Sequence, residues 1–93
     1  MHRSAIVSAR DYALWQLDGI ELPGWKAHRL RRRCPPPEDA RDIALAEQLR
    51  VGVIKNLLWL QHLISHHSGR DARALDPLVG RILALGLYQL RFL

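Results

Sequence analysis

The sequence predicts an all-α protein, a helical bundle of about four helices. Apolar residues recur three or four positions apart along most of the 93 residues, which is the spacing of one helix face. No stretch alternates apolar and polar residues as a half-buried strand does. The predicted helices cover about residues 4–18, 25–33, 38–67 and 77–92. At this length we expect residues 1–93 to form one domain, near the lower size limit for an independent core.

The first two predicted helices are short. Ser4 is a candidate N-cap of the first, Gly19 follows its last residue, and residues 22–24 form a turn. Residues 25–33 can form two further turns with Trp25 facing inward, although a helix this short needs packing to be stable. The next segment, Cys34-Pro35-Pro36-Pro37, predicts a stiff extended connector.

The third predicted helix, residues 38–67, is the longest. Its main apolar stripe is widened by a second line of apolar side chains, so we expect a broad buried face. Asp39 and Glu38 suit its N-terminal end, Gly69 follows as the stop, and Gly52 is where a bend is expected. The stripe consists of Ile43, Ala46, Leu49, Val53, Leu57, Leu60 and Ile64, and the second line of Val51, Ile54 and Leu58.

The last predicted helix, residues 77–92, is apolar around almost its whole circumference and is therefore expected at the centre of the bundle. Asp76 is a natural N-cap and Pro77 suits the first turn. Gly80 and Gly86 indicate that neighbouring helices approach its backbone closely.

Two expectations concern the final turns of this helix. Tyr88 is interpreted as a core residue rather than a half-exposed rim residue. The sequence stops directly after the apolar run, so we expect some of its side chains to stay exposed, or to be covered by another chain or by the long helix. The side chains concerned are Leu83, Leu87, Leu90, Phe92 and Leu93.

The chain is basic, with 14 Lys and Arg against 9 Asp and Glu, a net charge of +5 and a pI of about 10.4. Four of the five net charges fall in residues 1–33. This balance favours an anionic partner, such as nucleic acid or an acidic protein surface. Any electrostatic binding surface is therefore expected near the N-terminus.

Several other functions find no support in the sequence. The single Cys34 cannot form an internal disulfide, and there is neither a signal peptide nor an apolar run long enough to span a membrane, so we expect a cytoplasmic protein. His62, His66 and His67 lack the further ligands that zinc requires and are interpreted as a favourable last helical turn. No motif of a nucleophile, a phosphate loop or paired carboxylates is present, so we predict no enzyme activity, cofactor or metal.

The densest charge cluster is Arg29-Leu30-Arg31-Arg32-Arg33, supported by Lys26. It can be a solvated face, a phosphate-binding surface or a docking site for an acidic protein, and phosphate binding is favoured because the first helix beside it is also basic. Trp15 and Trp25 could stack on bases of single-stranded RNA, but at helical spacing both are more typical of core positions.

Five segments together resemble the NusB-like domain, the helical fold of an RNA-binding antitermination factor. The same domain lies at the N-terminus of Sun/Fmu-type ribosomal RNA cytosine-C5 methyltransferases. The motif Leu-Asp-Pro, followed by Leu-Gly-Leu-Tyr-Gln-Leu, most resembles the methyltransferase version. The resemblance covers nearly the whole chain and is most specific from Leu75 to Leu90. The segments are Ala9-Arg10-Asp11-Tyr12-Ala13-Leu14, residues 45–53, residues 60–64, residues 75–79 and residues 82–90.

The resemblance implies RNA binding through the basic N-terminal helix, which here carries Arg3 and Arg10. It also implies further helices beyond Phe92, so the chain is interpreted as a shortened domain or the front part of a longer protein. The catalytic cysteines of the methyltransferases have no counterpart here. Gln61 stands where the family usually has Asp, which puts any interaction of that carboxylate in doubt.

We therefore predict an RNA-binding module, for ribosomal RNA or for a leader RNA of antitermination complexes. The alternatives are a protein-interaction or dimerisation module, with a partner or a second copy docking on the exposed C-terminal helix, and an accessory domain of a ribosomal RNA methyltransferase. The predicted RNA-binding residues are Arg3, Arg10, Lys26, Arg29, Arg31, Arg32 and Arg33.

Overall fold

The computed structural model describes residues 8–28 and 32–93. These residues form four α-helices and one short 3-10 turn at Ala72–Ala74, which confirms the all-α class. Within the described ranges, the only extended pairing is an isolated bridge between Leu22 and Trp25. The helices are α1 (Ala9–Asp18), α2 (Ala40–Lys55), α3 (Leu57–Ser68) and α4 (Pro77–Phe92). None of them is long and apolar enough to cross a membrane.

Helix α4 lies at the centre, as its all-round apolarity predicts, and contacts each of the other three helices. It runs antiparallel to α1, because Arg10 at the start of α1 contacts Gln89 while Leu17 near its end contacts Arg81. The contact between Trp59 near the start of α3 and Phe92 shows that α3 is also antiparallel to α4. All four helices contribute to one apolar core.

Two glycines seat large aromatic side chains in this core. A Cβ atom at Gly80 would collide with the Trp25 ring, and one at Gly52 would collide with the ring of Tyr88. Tyr88 is buried, as predicted, and the expected close approach at Gly80 is confirmed. The close approach expected at Gly86 is wrong, because a Cβ atom there would meet no other atom within 4 Å.

Helix α1 begins later than predicted among the residues described. Ser8 is its N-cap, and the Ser8 side chain accepts a hydrogen bond from the Asp11 backbone N–H at 3.0 Å. The predicted cap, Ser4, lies outside the described residues. Gly19 ends the helix as expected.

The predicted helix at residues 25–33 is wrong wherever the structure describes it. Leu22 and Trp25 exchange backbone hydrogen bonds of 2.9 and 3.0 Å across a turn in which Gly24 has φ +79°. The backbone N–H of His28 donates to the Asp18 carbonyl at 2.8 Å, and residues 32–37 are irregular. Since α1 and the turn already use these backbone groups, they cannot form an i to i−4 ladder.

The predicted helix at residues 38–67 is two helices, and the break falls at Asn56 rather than at Gly52. The Asn56 side-chain amide donates to the Gly52 carbonyl at 2.8 Å, so it competes with the backbone for that acceptor. Asp39 is the N-cap of the first helix, and Gly69 ends the second with φ +72°, as predicted.

The broad buried face predicted for this segment is also wrong in part. Three of its apolar side chains are substantially exposed: Ile43 by 45%, Ile54 by 39% and Leu58 by 65%. Ile54 and Leu58 belong to the second line of apolar side chains, whose third member, Val51, is half-buried, whereas Ile43 belongs to the main stripe.

Arg81 is fully buried and holds the end of α1 against the start of α4. Its Nε donates to the Leu17 carbonyl at 2.7 Å, and its Nη2 donates to the carbonyls of Ile20 and Trp25 at 2.6 and 3.0 Å. Asp18 lies 3.9 Å from Nη1. A positive charge is favourable here because the C-terminal end of a helix carries partial negative charge.

The final turns of α4 are exposed, as predicted. The exposed residues include Leu83, Leu90, Phe92 and Leu93, whereas Leu87 is half-buried. Leu90 is the most exposed of them, at 82%.

Candidate nucleic-acid interface

Arg10 projects from the first turn of α1 and is exposed. Its Nε donates a hydrogen bond to Oε1 of Gln89 on α4. This partner is neutral, so the contact positions the guanidinium without cancelling its charge. Arg10 therefore presents a positive charge beside the N-terminal end of α1, where the helix dipole also favours an anion.

The connector that begins at Arg32 lies against α1. Trp15 donates from Nε1 to the carbonyl of Arg32 at 2.7 Å, and the Trp15 ring stacks on Tyr12 with centroids 5.8 Å apart. Arg32 and Arg33 are exposed. The fold thus brings this part of the charge cluster next to the helix that carries Arg10. We call Arg10, Arg32 and Arg33 the basic face.

Ion pairs within the described ranges do not include the arginines of the basic face. The two ion pairs found there are His28 with Asp18 at 3.2 Å and Arg81 with Asp18 at 3.9 Å.

Lys26 lies elsewhere. It lines a depression of about 350 Å³ at the other end of α1, together with Asp18, His28 and Asp76. Two carboxylates in the same depression weaken the attraction of Lys26 for phosphate. Three other predicted RNA-binding residues, Arg3, Arg29 and Arg31, lie outside the described residues.

The two tryptophans considered for base stacking differ in exposure. Trp25 is completely buried, and its Nε1 donates to the Ala72 carbonyl at 2.9 Å, so it is a core residue. Trp15, which belongs to α1, is half-buried and contacts the connector. Trp25 is thus not accessible to a nucleic-acid base.

Gln61 shows what replaces the carboxylate of the family pattern. It is buried and donates from Nε2 to the Pro23 carbonyl at 2.8 Å, while its Oε1 is buried without a hydrogen-bond partner in the described residues. A carboxylate cannot donate to a carbonyl. Gln61 therefore fixes the turn at residues 22–25 through a contact that an ionised Asp could not make.

The histidines near the end of α3 form ring contacts with one another. His62 and His66 stack with centroids 6.4 Å apart, and His66 meets His67 edge to face. Across the described ranges, no three His, Cys, Asp or Glu side chains are placed to hold a metal ion. The Cys34 sulfur lies 3.7 Å from the carbonyl oxygen of Pro35.

Sequence reasoning missed a second cluster at the C-terminal end of α4. The guanidinium of Arg91 lies 5.0 Å from the centroid of the Trp59 ring, and the rings of Trp59 and Phe92 meet edge to face at 6.0 Å. The only sequence signal was an aromatic or basic residue at each of these positions. Their meeting depends on the packing of α3 along α4, a contact between helices that apolar spacing along one helix does not show.

These features define a small all-α domain. The chain belongs to the NusB family, whose family model matches residues 8–93. Membership indicates, in general terms, an RNA-binding or antitermination-related role and a non-catalytic domain. No curated protein and no solved structure gives a significant match to the chain.

Proposed function

We propose that the domain binds RNA in the cytoplasm, either ribosomal RNA or a leader RNA of an antitermination complex, through its basic N-terminal side. The observation that carries this proposal is the contact between the connector at Arg32 and Trp15 of α1, the helix that carries Arg10, in a chain that belongs to the NusB family. Membership supplies the general role, and the basic face supplies a surface suited to it.

The mechanism is contact between arginines and backbone phosphates. Guanidinium groups bind phosphate through paired N–H donors and keep their charge at all physiological pH values. Phosphate contacts position the RNA, whereas base selectivity comes from contacts to unpaired bases. Alongside the basic face we include Arg3, Arg29 and Arg31, and we expect Lys26 to contribute least because of its acidic neighbours.

Fluorescence anisotropy with single-stranded ribosomal RNA fragments tests this proposal. Because each phosphate contact releases counterions, the affinity should fall steeply as salt increases. The Arg10→Ala and Arg32→Ala variants should bind more weakly than wild type. Arg70→Ala is the matched control, since Arg70 is also exposed but follows the end of α3, away from the basic face.

Two outcomes would contradict the proposal. One is a lack of RNA binding even at low salt. The other is equal weakening by Arg70→Ala and by Arg10→Ala, since this would mean that net charge rather than the basic face attracts the RNA.

A second candidate function is docking of a protein partner or a second copy on α3 and α4. A groove of about 300 Å³ lies between these helices and is almost entirely apolar, lined by Leu63, Ile64, Leu83 and Leu87 among others. Sedimentation at increasing protein concentration tests self-association, and a strictly monomeric protein that binds RNA would disfavour it. An accessory role beside a methyltransferase domain is a special case of the RNA-binding function.

A further inference from the structure

An aromatic stack runs from the core to the surface at the C-terminal end of α4. Tyr88 is buried against Gly52, and Phe92 stacks on Tyr88 with centroids 5.0 Å apart and planes inclined by 26°. Phe92 itself is 50% exposed. The inner ring is fixed by packing, so the outer ring is held in one orientation at the surface.

Trp59 and Arg91 complete this surface. Trp59 meets Phe92 edge to face at 6.0 Å and is 38% exposed, and the Arg91 guanidinium lies 5.0 Å from the Trp59 ring centroid. We call Trp59, Arg91 and Phe92 the aromatic platform. Its two aromatic rings and one planar cation are all groups on which nucleic-acid bases stack.

The two helices that carry the platform have basic but no acidic side chains. The sequence contains no Asp or Glu from Gln48 to Arg70 and none from Pro77 to Leu93, so α3 and α4 carry no acidic side chain. Lys55 ends α2, one residue before α3 begins, and Arg91 belongs to the platform itself. An anionic ligand would therefore meet cations and no carboxylate side chain of α3 or α4.

The platform also lies near Arg10 of the basic face. Gln89, whose side chain accepts a hydrogen bond from Arg10, lies one helical turn before Phe92 on α4. Residues three apart on a helix are neighbours on its surface. A single strand with phosphates at Arg10 can thus place a nearby base at Phe92.

These observations favour RNA over a second copy of the chain. A symmetric dimer through the platform would set the same patch against itself and bring Arg91 and Lys55 close to their own counterparts. Such like-charge contacts are unfavourable. An unpaired nucleotide fits both the rings and the cations of the platform, because its base stacks on the rings and its phosphate meets the cations.

We propose that Trp59, Arg91 and Phe92 form a stacking site for an unpaired base of the RNA. The inference rests on the proposed RNA-binding function and specifies single-stranded RNA as the ligand at this position. A duplex does not expose base faces and would bind here only through its phosphates.

The test compares an oligouridine strand, an abasic ribose-phosphate strand and an RNA duplex by fluorescence anisotropy. Wild-type protein should bind the oligouridine more tightly than the abasic strand. Phe92→Leu and Trp59→Leu, which keep an apolar side chain but remove the ring, should each weaken oligouridine binding about tenfold and leave abasic binding unchanged. Leu90→Ala is the matched control on the same helix, and circular dichroism verifies that each variant is folded.

The outcomes separate this inference from the general function. If Arg10→Ala weakens oligouridine binding but Phe92→Leu and Trp59→Leu do not, RNA binding stands and the stacking site is overturned. If wild type binds none of the strands at low salt, both are overturned. If the two ring variants instead abolish self-association seen in sedimentation and leave RNA binding intact, the platform is a protein interface and the inference is wrong.

Discussion

At the scale of single residues, Arg81 shows how one side chain joins three segments of the chain. Its guanidinium donates hydrogen bonds to the carbonyls of Leu17, Ile20 and Trp25, and the side chain is completely buried. A buried guanidinium is costly unless its donors are satisfied, and here several of them are used. Its role is therefore to fix the end of α1 and the following turn rather than to bind RNA.

Replacing Arg81 should destabilise the fold strongly. Arg81→Met removes the guanidinium donors to the carbonyls of Leu17, Ile20 and Trp25 and the cation beside Asp18, so we expect a loss of about 3 kcal/mol in the free energy of unfolding. Urea denaturation measures this loss. Arg70→Met, at an exposed position, should change the free energy by less than about 0.5 kcal/mol. Equal stability of the two variants would show that the Arg81 contacts contribute little.

At the scale of elements, α4 packs into the bundle through two glycines, one on α4 and one on α2. Gly80 on α4 admits the Trp25 ring, and Gly52 on α2 admits the Tyr88 ring of α4. Both aromatic residues are buried as a result. The break at Asn56 separates α2 from α3, and both of these helices pack against α4.

The two glycines of α4 should respond to alanine in opposite directions. Gly80→Ala forces a Cβ atom into the Trp25 ring, so we expect a loss of about 1 to 3 kcal/mol. Gly86→Ala meets open space and removes a helix-destabilising glycine, so we expect a gain of up to about 1 kcal/mol. Thermal denaturation of both variants checks this pair, and a stabilised Gly80→Ala protein would contradict the packing described.

At the scale of the whole molecule, the acidic residues are unevenly distributed among the helices. The acids lie on α1, on the segment from Glu38 to Glu47 and in the loops, whereas α3 and α4 have none. Arg10 of the basic face lies at the same end of α4 as the aromatic platform, because its side chain contacts Gln89. An RNA strand would therefore meet phosphate-binding and base-stacking groups side by side.

The salt dependence of RNA binding should distinguish these two kinds of contact. Arg10→Ala should reduce the slope of log affinity against log salt by about 1, because one phosphate contact is lost. Phe92→Leu should lower the affinity without changing the slope, because stacking releases no counterions. Anisotropy titrations at several salt concentrations measure both slopes. An unchanged slope in the Arg10 variant would exclude a phosphate contact there.

Sequence by itself determined the helical class, the central position of α4 and most helix ends. These follow from local rules: apolar spacing of three or four, Asp76 and Pro77 at a helix start, and Gly69 at a helix end. The segment that most resembles the NusB family, Leu75 to Leu90, includes the start of α4, where Asp76 and Pro77 follow these rules.

Only the tertiary structure decided that residues 25–28 are not helical, that the long helical pattern breaks at Asn56, and that Trp59 meets Phe92. Residues 25–28 have helical spacing, but contacts with α1, Ala72 and Gly80 take up the Trp25 side chain and the nearby backbone groups. Such contacts join residues far apart in sequence. Periodicity reports only neighbours along one helix, so it cannot show which distant groups compete for the same backbone or meet on the same surface.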